Sequence, residues 1–452
     1  MSSDSDARTP LADRPATTAG YDTYTDSGVD WLGEIPAHWE LRALKYSADF
    51  VQEKLDSKPT DLPYIGLEHI ESETGNLAKY ETVDDVSSKV VHFKEGDVLF
   101  GKLRPYLAKV LLANERGVGT TELVPMRPVN DVDERFLRYQ LLSKGFIDVV
   151  DAQTYGARMP RVSPDQLAEQ KIALPPPGEQ RAIAEFLDRA TARIDTLIEK
   201  KERLVELLEE KRSALVSHVV TKGLDAEAEM HDSGVKWLGE IPAGWDVVRL
   251  KFLTSLVTSG PRGWAEYYSE EGPIFLQVGN LSRGSLDLDL SEVEHVNPPE
   301  DAEGTRTRLE GNDLLLSITA YIGSIGVIPP DLGEAYVNQH IALVRPLLDE
   351  RAHSRWLGYC LLSRVGKSQF GELLYGGTKD GLSLQDVKDL QVLLPPLDEQ
   401  RTIVNHLDEK TAQIDALIER VEDGIERLRE YRTALISTAV TGEIDVRDAV
   451  YA

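Results

Sequence analysis

The chain has 452 residues and a formal net charge of −27, from 50 Lys and Arg against 77 Asp and Glu. A single hydrophobic core rarely grows past roughly 250–300 residues, so two or three domains are expected, and 41% apolar residues exclude wholesale disorder. One cysteine, Cys360, excludes a disulfide framework and any multi-cysteine zinc site, and fits a reducing cytoplasm.

The N-terminus, MSSDSDARTP, lacks the basic start and apolar run of a signal peptide. The hydrophilic leader of residues 1–26, rich in Asp, Ser and Thr, is expected to be disordered. The longest apolar stretch, Leu314 to Pro329, is broken by Ser, Thr and Gly and falls short of the ~20 residues of a membrane helix. A soluble, cytoplasmic, multidomain protein without a membrane partner is the expectation.

From Ser27 onward the chain repeats itself. SGVDWLGEIPAHWELRALKY recurs from Ser233 as SGVKWLGEIPAGWDVVRLKF, an offset of 206, and LPPPGEQRAIAEFLD at Leu174 recurs as LPPLDEQRTIVNHLD at Leu394, an offset of 220. Between them FLRYQLLS (Phe136) answers WLGYCLLS (Trp356), and TYGARMPRVS (Thr154) answers LYGGTKDGLS (Leu374). Two copies of one unit account for nearly the whole chain, the second with 14 extra residues in its middle.

Each unit opens on its WLGEIP segment and continues as a mixed α/β stretch, residues 27–173 and 233–393. VLFGKL, DLLLSI and PIFLQV read as short strands, FLRYQLLSKGF as a helix. A proline turn then leads into a long helix, residues 174–222 and 394–442, with a linker at 223–232 and a tail at 443–452. The apolar positions run Ile183, Leu187, Ala190, Ile194 and Leu197, then Lys201, Leu204, Leu208, Lys211 and Leu215, with lysine at two of them. The second series is Ile403, Leu407, Lys410, Ile414, Leu417, Val421, Gly424, Leu428, Tyr431 and Leu435. Alternating steps of four and three over about five heptads predict a coiled-coil seam, in a rod of roughly 60 Å. Two seams most economically bury each other within one chain; the alternative is pairing with another molecule. The short linker favours antiparallel pairing, since a parallel pair would make the second domain span the rod. The predicted fold is α+β: two similar mixed domains, separated by an antiparallel intramolecular coiled coil with a pseudo-two-fold axis.

The search for catalytic chemistry is negative. NPPE at Asn297–Glu300 resembles the NPPY of adenine-N6 methyltransferases but puts Glu300 where an aromatic must stack on the flipped base, and no Gly-rich strand–helix turn for the methyl donor is present. GKS at Gly366–Ser368 lacks the phosphate-loop glycine five positions earlier, where Leu361 stands. The nine histidines show no pair at metal-ligand spacing.

What the mixed domains carry is cationic, aromatic and hydroxyl side chains on short loops. FGKLRPYLAKV in the first domain offers Lys102, Arg104, Tyr106 and Lys109, and TYGARMPRVS adds Arg158 and Arg161. Lys and Arg neutralise phosphates, Arg reads guanine edges and Tyr stacks; the bland alternative is a solvated edge strand. Equivalent places in the second domain hold Thr319, Tyr321 and Ser324, and then Tyr375, Thr378 and Lys379. Different side chains from equivalent places suit a scaffold that reads two different sequences.

The duplicated WLGEIP…W segments and LPP(P/L)xEQR turns, in order and twice, resemble the DNA-specificity subunit of type I restriction-modification systems. The resemblance spans about Ser27 to Asp445. It implies that each mixed stretch is a target-recognition domain reading one half of a bipartite, asymmetric site in double-stranded DNA. The helices become a ruler and a platform for two methyltransferase subunits and two restriction/translocase subunits. It also implies no catalysis and no cofactor in this subunit, with S-adenosylmethionine, ATP and Mg in its partners.

The charge is unevenly spread. Residues 41–173 hold 18 basic and 21 acidic side chains, residues 247–393 hold 13 and 20, and residues 174–222 balance at 9 and 9. Most of the −27 therefore lies outside the first domain. This pattern suggests a salt-rich cytoplasm, in which phosphate attraction is screened to within a few Å. An acidic DNA mimic would spread carboxylates evenly, against the basic FGKLRPYLAK run; a coiled-coil scaffold for proteins is the remaining alternative.

Overall fold

The computed structural model describes residues 20–51, 54–55, 62–78, 89–156, 158–298, 306–347, 351–374 and 381–447. Its contacts divide the chain into one unit of Met1–Lys200 with Gly424–Ala452, and a second of Lys201–Asp423.

In the first unit, strand Tyr24–Asp26 pairs antiparallel with Glu34–Pro36 of the WLGEIP segment. The last residues of the predicted leader are part of the fold: Tyr21 is buried, and the Tyr24 hydroxyl donates to the Gly442 carbonyl. A four-stranded antiparallel sheet follows, in the order Ala48–Phe50, Leu123–Pro128, Val98–Gly101, Val110–Leu112. A second sheet runs Lys54–Leu55, Val90–Phe93, Gly117–Thr120, Tyr64–Ile65, its last pair parallel. The all-apolar VLFG run is buried on both faces, as a central strand requires. Lys171–Leu174, just before the proline turn, returns to pair with Glu40–Ala43.

The second unit repeats this plan. Its sheets run Thr254–Ser259, Ile341–Pro346, Leu314–Ser317, Ile325–Val327, and Glu294–Val296, Tyr268–Leu276, Ala335–Val337, again with a parallel last pair. Gln391–Leu394 closes back on Asp246–Arg249. FLRYQLLSKGF, expected as one helix, forms two, Glu134–Leu142 and Lys144–Ala152, and its counterpart splits likewise into Ser354–Leu362 and Arg364–Leu374. Ser143 and Ser363 are extended at the breaks, and their hydroxyls close the preceding helices on the Gln140 and Cys360 carbonyls.

The repeated motifs recur together because they touch. Trp39 Nε1 donates to Glu179 of the first proline turn at 2.9 Å, and Trp245 Nε1 to Glu399 of the second at 3.1 Å. The next residue of each turn is a buried glutamine. Gln180 donates to the Pro175 and Asp131 carbonyls and accepts from Asp133 N; Gln400 does the same with Pro395, Arg351 and His353. The LPPxEQ run thus ties the start of each long helix to its domain.

Those helices are Pro177–Lys222 and Leu397–Thr441. In the first unit Ile194 and Ile198 share a core with Leu428 and Leu435; in the second, Val216, Val219 and Val220 share one with Ile403, Val404 and Leu407. The early part of each helix meets the late part of the other, so the pair is antiparallel.

The heptad period is as predicted, but its phase is corrected. Leu197, Leu204 and Leu417 are exposed, while the adjacent Ile198, Val205 and Ile418 are half-buried and continue the seam. Thr191, Thr411, Arg212 and Arg432 fill seam positions next to those that hydrophobicity selects. Each has a partner there: Tyr139 bonds Thr191, Tyr359 bonds Thr411, and the arginines bond Asp415 and Asp195. Ile183, Leu187, Ile194, Leu208, Ile403, Leu407, Ile414, Val421 and Leu428 are buried or half-buried.

Candidate nucleic-acid interface

In the first domain the hairpin after Val98–Gly101 carries Lys102, Arg104 and Tyr106. Arg104 and Ala108, at φ 51° and 46°, are left-handed, a strained conformation for residues with a Cβ. Pro105 is buried between them, while Arg104 and Tyr106 stand exposed. The hairpin is zipped to residues 158–162: Arg104 N donates to the Pro160 carbonyl at 2.8 Å, and Val162 N to the Lys102 carbonyl at 3.1 Å. Arg158 projects from that segment, exposed. Lys102, Arg104, Tyr106 and Arg158 are thus brought onto one loop surface.

Two other predicted residues there serve the fold. Lys109 Nζ donates to the Leu67 carbonyl at 2.6 Å, and Arg161 pairs with Glu122 at 3.2 Å, which raises the guanidinium pKa further. Alternation along the hairpin strand turns Lys109 toward the second sheet.

In the second domain the equivalent hairpin presents Thr319 and Tyr321, the latter 63% exposed and left-handed at φ 49°. Ser324 is a correction: it is buried, and its hydroxyl donates to the Tyr321 carbonyl, holding the turn from inside. The guanidinium of Arg283, in the turn LSRGSL, lies 4.0 Å from the Tyr321 ring centroid, a cation–π contact that keeps a cation on this surface. Thr319 Oγ1 bonds His340 Nδ1 at 2.7 Å. Arg283 and His340 have no local sequence signal; only the folded chain brings them to the hairpin. Tyr375, Thr378 and Lys379 lie outside the described residues, as does Glu300 of the NPPE run.

No group of three or more His, Cys, Asp or Glu among the described residues could hold a metal ion. Cys360 is fully buried, and desolvation raises its thiol well above the ordinary range, so it stays protonated. Burial lowers the His353 pKa and keeps that ring neutral. Lys367 of the GKS run sits in helix Arg364–Leu374 and donates to Ser213 Oγ. No helix among the described residues is long and apolar enough to cross a membrane.

Two α/β domains of one topology, each with cationic and aromatic side chains on a hydrogen-bonded loop surface and each followed by a coiled-coil helix, define a duplicated recognition scaffold. Comparison with known proteins gives that class its name. A family model described as the type I restriction modification DNA specificity domain matches residues 40–207 and 302–427. The MjaVIII specificity subunit of Methanocaldococcus jannaschii, a type I restriction enzyme component, is 24% identical over 431 residues, covering 92% of this chain and 95% of the relative. The EcoBI specificity subunit of Escherichia coli is 23% identical over 328 residues, covering 69% of this chain and 66% of the relative. A solved chain from a study of complex assembly and conformational transition in a type I R-M system aligns over 90% of this chain and 98% of its own length. Its TM-score is 0.68 at 20% identity, a likeness of fold. The chain belongs to the family of type I restriction modification DNA specificity domains.

Proposed function

We propose that this chain is the non-catalytic, sequence-specific DNA-binding subunit of a type I restriction-modification complex. Each α/β domain reads one half of a bipartite, asymmetric site in double-stranded DNA, and partner subunits carry out adenine methylation and restriction. The observation that carries this reading is the duplication with divergence. Equivalent hairpins present Arg104 and Tyr106 in one domain and Thr319 and Tyr321 in the other, so one architecture meets two different base sequences. Lys102, Arg104 and Arg158 give the first domain local cationic character despite the net charge of −27. That cationic surface argues against a DNA mimic.

In this reading two methyltransferase and two restriction/translocase subunits assemble on the chain and bring S-adenosylmethionine, ATP and Mg. The antiparallel helices fix the gap between half-sites. The domains correspond to residues 27–173 and 233–393, and Tyr375, Thr378 and Lys379 belong to the second reading surface. The test is co-purification with the neighbouring methyltransferase, followed by mapping of methylated adenines. A two-part motif with a constant gap is expected, and exchanging one domain for that of a relative should exchange one half of the motif. A methylation pattern unchanged by the exchange refutes the modular reading.

A further inference from the structure

The loop surface of the first domain exposes large apolar side chains beside its cations. Tyr106, Tyr155 and Met159 are 49%, 58% and 53% exposed. One such side chain needs no explanation, but three on two zipped loops form a patch. The patch is pre-shaped. Tyr155 and Arg161 exchange both backbone hydrogen bonds at 3.0 Å, Arg161 also bridges to Leu103, and Arg104 N is held on the Pro160 carbonyl. Gly156 at φ 94° makes the turn possible, since a Cβ there would sit 3.2 Å from the Met159 carbonyl oxygen. The turn thus carries Tyr155 and Met159 at its two ends, with exposed Arg158 between them and Arg104 on the facing hairpin.

The cations on this surface suit a polyanion, and the apolar side chains beside them suit one that offers a flat apolar face. Duplex DNA does so where neighbouring base pairs part. We propose that the exposed side chains of Tyr155 and Met159 form a wedge that enters an unstacked base step, with Arg104 and Arg158 on the flanking phosphates. The first half-site is then read partly through how easily that step opens, at positions without base-edge hydrogen bonds. This rests on the DNA-reading function and adds to it the mode of reading and two residues, Tyr155 and Met159, that the sequence pattern does not single out.

The test uses the full chain and a duplex that it selects from a random-sequence pool. Mismatches are placed at each step of the bound site in turn, and 2-aminopurine at each purine. A mismatch at one step of one half-site is expected to tighten binding several-fold, and 2-aminopurine beside that step to brighten several-fold on binding. The double variant Y155A/M159A, folded by circular dichroism because both side chains are exposed, is expected to bind the matched site at least tenfold more weakly and to lose both responses. Tight selective binding by the natural chain with no step responding overturns the wedge and leaves the DNA-reading function standing. So does a double variant that responds like the natural chain. A double variant with unchanged DNA binding that no longer retains the methyltransferase puts a protein on this surface and also overturns the wedge. Failure to select any duplex overturns the DNA-reading function itself.

Discussion

Arg432, near the end of the second long helix, donates from Nε to Asp195 of the first at 2.8 Å, and its Nη1 reaches the Glu73 carbonyl of the first domain at 3.0 Å. One nearly buried guanidinium (5% exposed) thus joins both helices and a domain loop, whose turn is set by Glu73 at φ 64°. The repeat places Arg212 against Asp415 in the same way in the second unit, and there the backbone of Gly284 lies directly against the guanidinium. Each arginine occupies a seam position that a hydrophobic residue would otherwise take.

Breaking this clasp leaves a half-buried carboxylate and a backbone carbonyl without their cation. R432A should therefore destabilise the first unit by about 3 kcal/mol in urea unfolding. R432K, a point charge without the fork, should fall between. The double variant D195A/R432A should lose clearly less than the two single losses combined, because they share one interaction. Additive losses would show that the two side chains act independently.

The corrected seam phase makes a pair of adjacent substitutions diagnostic. L197E puts a charge on an exposed helix face and should change stability by no more than about 0.5 kcal/mol. I198E puts the same charge among Leu428 and the buried residues around it and should cost about 2–3 kcal/mol or more. Thermal unfolding of the two variants decides. The opposite ranking would restore the phase that hydrophobicity alone selects.

The two phases differ by one residue at every other seam position, and the sequence favours the wrong one for a physical reason. A heptad reading rewards Leu197 and Leu204 over Thr191 and Arg212. It cannot see that Tyr139 waits for the threonine and an aspartate of the other helix for the arginine. Shared positions such as Leu187, Ile194 and Leu208 satisfy both phases, so period and helix pairing were legible while rotation was not. The duplication was legible for a similar reason: Trp39–Glu179 and Trp245–Glu399 are contacts between motifs, and a contact made twice must be kept in both copies. The loop surface was legible only by segment. Residue type selects Lys109 and Ser324 as readily as Arg104 and Tyr321, but strand alternation and the turn send the first two inward. Arg283 joins the surface of the second domain through its contact with the Tyr321 ring, and Tyr155 and Met159 join that of the first through the Arg104–Pro160 and Val162–Lys102 backbone bonds.

Acid should loosen the chain's end in a defined window. The Arg447 guanidinium, hydrogen-bonded to Asp445 at 2.5 and 2.9 Å, holds that carboxyl below the usual carboxylate range. The folded pKa is below the unfolded one, so the folded state binds fewer protons. The pair's stabilisation is complete above roughly pH 4 and is lost as pH falls through the folded value. D445N should be less stable than the natural chain at pH 6, and the two should converge as pH falls through the folded value. A difference that stays undiminished as the pH falls would exclude an ionic origin.

Salt separates phosphate contacts from base contacts on the two reading surfaces. Each phosphate neutralised by a cation contributes about 0.9 to the slope of log affinity against log salt. R158A should weaken binding of all duplexes alike and flatten that slope by about one. R104A should do the same, since Arg104 too flanks the wedge on a phosphate. Selectivity relaxed at one position by about 1–3 kcal/mol with the slope unchanged would instead put Arg104 on a base edge. In the second domain R283A removes a cation and also uncovers the Tyr321 ring. It should therefore flatten the slope and, unlike R158A, add a salt-independent loss from the freed ring. These measurements belong at both low and molar salt, because a chain of net charge −27 repels itself where screening is weak. If the acidity serves a salt-rich solvent, the melting temperature should rise from low to molar salt, with selective DNA binding still measurable at the upper end. A chain that is most stable and binds best at low salt would refute that adaptation while leaving the ranking of the three arginine variants intact.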